Sequence, residues 1–286
     1  MTTISLAQIT AYRQVTFRLQ PALRLKSLEN AVEFVSQRGF ILFWPSKGLT
    51  VPSLWSAVAG DRPVPDEHDD PAHITWDWKD ASLGKRRWFY GRVLHHRNAM
   101  IALTDLPYFY ALSPNYGSPE EDYLEQYAAG QMTAEARSVY EALLDHGPLD
   151  TLDLRRAARM SSRESDGRFN KALDSLQMEF RILPVGISQA GAWNYAFIYN
   201  LVPRHFTSLI EESRLIGEMQ ARRRLAQRYL ESVGCASAST VSRLFRWPLN
   251  LARKALDDLV KENTLFFPVE LEAGKEAQYA LPSLGV

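Results

Sequence analysis

The chain carries an internal repeat, and that repeat constrains its fold more than any other feature. Residues 171–187 read KALDSLQMEFRILPVGI and residues 254–271 read KALDDLVKENTLFFPVEL. Each is a Lys-Ala-Leu-Asp-x-Leu helix followed by a short apolar stretch through Pro-Val. Upstream of the first lie an amphipathic segment with Val139, Leu143 and Leu144, a Gly-Pro break at 147–148, and a short helix with Leu152, Leu154, Ala157 and Ala158. Upstream of the second lie a helix through Leu225, Tyr229 and Leu230, then Gly234, then a short helix with Val241, Leu244 and Phe245. Both copies end in aromatic and β-branched residues at strand-like spacing: Trp193, Tyr195, Phe197 and Tyr199 in one, Phe266, Val269, Leu271 and Tyr279 in the other. Helix, short helix, longer helix and two-stranded wing is the order of a winged helix-turn-helix. A helical repeat without wings is the rival arrangement, and it leaves the β-rich ends unplaced. The segment 205–232 between the copies keeps helical periodicity and reads as a linking helix.

In helix-turn-helix proteins the third helix enters the major groove with its N-terminal part. That part carries Arg163, Arg168, Asn170 and Lys171 in the first copy, behind Arg155, Arg156 and Arg159. In the second it carries Asn250, Arg253 and Lys254 after Pro248, with Arg243 and Arg246 preceding. Arg and Lys can meet phosphates or guanine edges, and Asn can pair with adenine. The same residues also suit a solvated helix face, and Asp166, Asp174, Asp257 and Asp258 share those helices. Arg222, Arg223, Arg224 and Arg228 form the densest basic cluster, open to a phosphate contact or to salt bridges along a linker helix.

Net charge is zero, with 33 basic and 33 acidic residues, so any field for nucleic acid must come from patches. Residues 1–60 hold six Lys/Arg against two Asp/Glu, and residues 83–118 hold five against one. Residues 61–82 reverse this with two against seven, and residues 119–132 hold four acids and no base. No apolar run is long enough to span a membrane. The opening MTTISLAQITAYRQ lacks a signal-peptide profile, and the single Cys235 makes neither a disulfide nor a cysteine-rich metal site. The expected setting is cytoplasmic, without metal or obligate small-molecule cofactor.

The first third of the chain also begins with helices, one through Ile4, Leu6, Ile9 and Tyr12, another through Leu28, Ala31, Val32 and Val35 with Ser27 as N-cap. FILFW at 40–44 follows, closed by Pro45. RRWFYGRVLHHRNAMIALTDLPYFYAL at 86–112 reads as a strand, a turn near Arg97-Asn98, a returning strand and a short helix. The expected class is α+β, mainly helical, with three tandem winged helix-turn-helix units. They divide as 1–112 with an acidic insertion at 61–82, a linker at 113–132, a second unit at 133–202, and a linking helix with the third unit at 203–286.

ISLAQITAYR, WFYGRVLHHRNAMIALTDLPYFYAL and the tandem units after them together resemble the AlkZ/YcaQ-type winged-helix DNA glycosylases, over roughly residues 4–283. The resemblance implies a concave DNA-binding body that excises alkylated or crosslinked bases. It also implies a Gln-x-Gln or Gln-x-Asp triplet after the second helix, which positions the hydrolytic water. Counted from Ser27, that triplet falls at Leu42-Phe43-Trp44, where neither amide nor carboxylate stands. Gln37 is nearby but lies within the helix. The family's hairpin Leu-His matches Leu94-His95, while Gly91-Arg92 inverts the usual Arg-Gly.

Hydrolysing an N-glycosidic bond needs a water held and partly deprotonated by an acceptor. Leu42, Phe43 and Trp44 offer none; they suit core packing, and Trp44 alternatively suits stacking on a base. Substitute acids could come from DRPVPDEHDDPAHITWDWKD at 61–80, where Asp69 and Asp70 are the candidates. The simplest reading of Asp66, Glu67, His68, Asp69, Asp70 and His73 is a solvated loop; their ligand chemistry suits a metal, but their spacing matches no known site. Trp76-Asp77-Trp78 reads as strand-like alternation or a stacking ledge, and Trp88, Tyr90 and His95 as a possible pocket. In a strand, His95 and His96 would point to opposite faces. No P-loop, GxGxxG, HExxH, CxxC or GxSxG occurs. The expected function is duplex DNA binding without efficient base excision, through Arg86, Arg87, Arg92, Arg163, Arg168, Lys171, Arg243, Arg246, Arg253 and Lys254. An active glycosylase with a relocated acid is one alternative, and a transcription regulator or protein-interaction module another.

Overall fold

Serine and threonine cap several of the helices. The side chains of Ser5, Ser27, Ser53, Thr133 and Ser237 each accept a hydrogen bond from a first-turn N–H, and Asp150 does the same. The computed structural model describes every residue except Met1, His68, Tyr116, Ala192, Trp193, Ala273, Lys275 and Val286. Trp193 and His68, singled out above, therefore lie outside the described residues.

Strand β1 (Thr2–Ile4) and helix α1 (Leu6–Thr16) precede the first group. That group runs α2 (Leu28–Arg38), β2 (Phe40–Leu42), α3 (Leu54–Ala59), α4 (Ile74–Ser82), β3 (Phe89–Leu94) and β4 (Arg97–Ile101). After α5 (Leu106–Tyr110) and α6 (Asp122–Ala128) comes α7 (Ala134–His146), β5 (Leu149–Asp150), α8 (Thr151–Ala157), α9 (Asp166–Met178), β6 (Ile182–Ser188) and β7 (Ala196–Leu201). Then α10 (Val202–His205) and α11 (Leu209–Arg214) lead to α12 (Glu218–Val233), β8 (Cys235–Ala236), α13 (Ala238–Phe245), α14 (Leu249–Lys261), β9 (Phe266–Leu271) and β10 (Gln278–Ala280). The same order thus occurs three times. In each group the last strand lies between the group's other two: β2-β4-β3, β5-β7-β6 and, within the four-stranded sheet β1-β9-β10-β8, β9-β10-β8. The architecture is α+β with helix predominant.

Five expectations need correction. Residues 74–82 are helix α4 inside the first group, not part of an acidic insertion. Asp70 caps the short turn Pro71–His73, which feeds straight into that helix. Thr75, Trp78, Lys79 and Ser82 are buried at helical spacing, so the Trp-Asp-Trp alternation is coincidental. The β3–β4 turn falls at His95-His96, both at positive φ (50° and 57°), so the two rings are not on opposite faces of a strand. Segment 205–232 is no single helix: it breaks at residues 215–217, where Gly217 precedes α12. Finally, β1 pairs in parallel with β9, and Ile4 and Ile9 pack with Cys235, Val269 and Leu284, so the N-terminus belongs to the third sheet.

The second group has its own core around Val139, Leu143, Leu154, Phe169 and Leu176. The first and third share one, in which Phe40 meets Phe109 at 5.5 Å and Phe245 at 5.6 Å, both edge-on. A buried ion cluster fastens them. Asp105, fully buried, accepts from Arg224 Nε at 2.7 Å and Arg228 Nε at 3.1 Å. Gly39 sits over this cluster at φ +79°, and a Cβ there would come within 3.1 Å of Asp105 Oδ2. Arg222 pairs with Glu218 and Arg223 with Glu262, each at 2.8 Å. The dense arginine run is therefore a salt-bridged helix. Among the described residues, no helix is long and apolar enough to cross a membrane.

Candidate nucleic-acid interface

Residues 42–44 are pinned on both sides. Leu42 N–H donates to the Pro52 carbonyl at 2.9 Å and Phe43 N–H to that of Asn98 at 2.8 Å, while the Phe43 carbonyl accepts from Trp55 N–H at 3.1 Å. Alternation along β2 sends Leu42 into the core shared with the third group and Phe43 into the first group's own core. They are 0% and 2% exposed, whereas Trp44 is 38% exposed.

Phe43 forms one wall of an aromatic box around a lysine. Lys79, 1% exposed, has Nζ 4.5 Å from the Trp76 ring centre, 5.0 Å from Phe197 and 5.9 Å from Phe43. The same ammonium lies 2.8 Å from Asp80 Oδ1 and donates to Tyr195 Oη at 2.8 Å, which in turn donates to Asp80 at 2.9 Å. Burial lowers the Lys79 pKa, with Asp80 opposing. Burial also raises Tyr90, and burial together with Asp80 raises Tyr195. Leu42, Phe43 and Trp44 themselves carry no side-chain acceptor for a water, and the Asp80 carboxylate beside them is engaged by Lys79 and Tyr195.

Outside this seal lies an open cleft of about 400 Å³ between residues 43–47 and the β3–β4 hairpin. Trp44 forms its aromatic wall, held 5.3 Å from Phe43 and 5.5 Å from Trp76. Lys47, Arg92, His96 and Arg97 form its basic rim. Asp174 from α9 pairs with Arg92 at 2.7 Å and lies 3.7 Å from His96 Nδ1. Arg92 N–H also reaches Gln177 Oε1 at 3.3 Å. On the hairpin's other side, His95 Nε2 lies 2.8 Å from the Arg243 carbonyl and 3.1 Å from that of Leu244. The first hairpin is thus wedged between α9, which bears Arg168 and Lys171, and α13, which bears Arg243 and ends at Arg246.

Arg86, Arg87, Arg163, Lys171, Arg243, Arg246, Arg253 and Lys254 are exposed, and none forms an ion pair among the described residues. Arg92 and Arg168 are held by Asp174 and by Glu135, the latter at 3.4 Å. Trp88, just before β3, and Tyr90 within it are core residues rather than pocket walls, both buried in the first group's interior. His95 lines a separate cavity of about 320 Å³ with Arg246 and Trp247. Asp69 is exposed. Asp70 is bound by both Arg62 Nη atoms at 2.7 and 2.8 Å, and that pairing holds its carboxyl below the usual range, which makes it a weak base. Neither aspartate lines the Trp44 cleft. Among the described residues, no group of three or more His, Cys, Asp or Glu is placed to hold a metal ion. Lys47 reaches the cleft from a Ser-Lys-Gly turn and Arg97 from the first position of β4; the sequence marks Arg97 as a turn residue and does not single out Lys47.

A family model described as AlkZ related matches residues 25–246. The chain belongs to the AlkZ-related family. The solved structure of the Streptomyces sahachiroi DNA glycosylase AlkZ shares the fold of this AlkZ-related chain with a TM-score of 0.62 and 16% identity, covering 100% of this chain and 73% of that one. Comparison with curated proteins finds no match. Within the AlkZ-related fold, the position expected to carry a polar triplet is filled by Leu42, buried Phe43 and half-exposed Trp44.

Proposed function

We propose that this protein binds duplex DNA through three winged helix-turn-helix units and does not hydrolyse the glycosidic bond efficiently. The observation that carries the second half is the burial of Leu42 and Phe43 in two cores, where their side chains offer no acceptor to hold a nucleophilic water. Asp70 does not substitute, since Arg62 occupies both carboxylate oxygens. The first half rests on exposed cations without an ion pair among the described residues, Lys171 on α9, Arg243 on α13, Arg253 and Lys254 on α14, and Arg86-Arg87, with α9 and α13 flanking the first hairpin. The threefold helix and sheet order supports reading each group as a winged unit, with α4, α9 and α14 in the third-helix position. Membership of the AlkZ-related family, and the DNA glycosylase named among its structural neighbours, supports DNA as the ligand.

The test is duplex affinity against salt. If about six of these cations meet phosphates, affinity falls about a thousandfold between roughly 50 and 200 mM salt. An affinity that does not change over that range contradicts phosphate contacts. A single preferred operator in a random-sequence selection would favour a transcription regulator instead.

A further inference from the structure

Nothing in the proposed grip on duplex DNA uses the face of Trp44, and that face is what the cleft exposes. The Trp44 indole is 38% exposed beside a cavity of about 400 Å³, and it is fixed rather than loose. Phe43 and Trp76 buttress it on the inner side, and the backbone at Phe43 is tied to Asn98 and Trp55. No carboxylate is among the described residues lining the cleft. Lys47 and Arg97 stand at its rim with no ion-pair partner among the described residues, and Ser46 and Asn98 add neutral hydrogen-bonding groups. An aromatic wall, two uncommitted cations and small polar groups match one ligand chemistry: a flat nucleobase on the indole with its phosphate between the cations.

We infer that this cleft accepts a single unpaired nucleotide of DNA, stacked on Trp44 and held by Lys47 and Arg97. A base still inside a duplex has its faces covered by neighbours, so the occupant must be extrahelical or single-stranded. The proposal rests on the DNA-binding reading above and adds the substrate class: DNA with a displaced base. It also gives the buried lysine box a purpose. Lys79 braces Trp76, and Trp76 in turn braces the platform.

The experiment compares three duplexes of one sequence: fully paired, with a one-nucleotide bulge, and with the bulged nucleotide lacking its base. Stacking of one base is expected to tighten binding of the bulged duplex about fivefold to a hundredfold over the paired one. The abasic bulge is expected to lose that gain, and Trp44→Ala to abolish the preference for the base. Trp44→Phe is expected to retain part of it, and Lys47→Ala with Arg97→Ala to reduce it. Equal affinity for paired and bulged duplexes, or a preference that survives Trp44→Ala, overturns the inference while leaving duplex binding intact. Failure to bind any of the three overturns the DNA-binding reading itself.

Discussion

Asp105→Ala is expected to lower the unfolding free energy by about 3 kcal/mol, toward the lower end of the cost of breaking a buried ion pair. The carboxylate is fully buried and serves two guanidiniums at once, with Arg224 at 2.7 Å and Arg228 at 3.1 Å. Removing it leaves two positive charges against a shared core. Their side chains remain 31% and 18% exposed, so water recovers part of the loss and the upper end of the range is not reached. The effect reaches beyond one contact, because Asp105 follows β4 of the first group while both arginines lie on α12 of the third. Asp105→Asn, which keeps hydrogen-bonding capacity without the charge, is expected to cost less. Urea unfolding measures both; a loss below about 1 kcal/mol for Asp105→Ala would show that the two groups are held by their apolar core alone.

Leu42→Gln is expected to cost about 2–4 kcal/mol, combining lost apolar packing with a buried amide that finds no partner. Leu42 is fully buried in the hydrophobic cluster that also holds Phe40, Val51 and Phe89. Trp44→Asp, at a half-exposed position, is expected to change stability far less. Putting a family-like polar triplet back into this chain therefore strains the fold before it can organise a water. A Leu42→Gln variant as stable as the parent would mean that the site already tolerates a hydrated amide, and the sealed-core account of residues 42–44 would fail.

Much of the fold was legible because it is written twice. The Lys-Ala-Leu-Asp helices and the β-rich stretches after them mark α9 with β6 and α14 with β9 by simple correspondence. The first group has no such twin. Its third helix hides behind the Pro- and Asp-rich stretch 61–73, and Trp76-Asp77-Trp78 mimics strand alternation over too few residues to reveal a helical period. The break at residues 215–217 is equally faint, since a single glycine inside a periodic stretch is compatible with one helix. The attachment of β1 to β9 spans nearly the whole chain, and the Asp105 cluster joins residues more than a hundred positions apart. Local patterns do not encode such pairings. The candidate site was half legible: the apolar character of residues 42–44 and most of the basic residues could be read from the sequence. The cleft could not, because its walls come from residues 43–47 and 92–98 and meet only when β2 pairs with β4.

The central claim is that the chain retains a hold on DNA without the chemistry of base excision. The most direct measurement is to incubate a duplex containing one N7-alkylated purine with saturating protein, then score abasic sites while monitoring the bound complex. The account predicts a stable complex and abasic sites no more frequent than in the protein-free control. Abasic sites that accumulate with protein concentration and vanish in Asp70→Asn would contradict it, and would place the catalytic acid in the segment before α4.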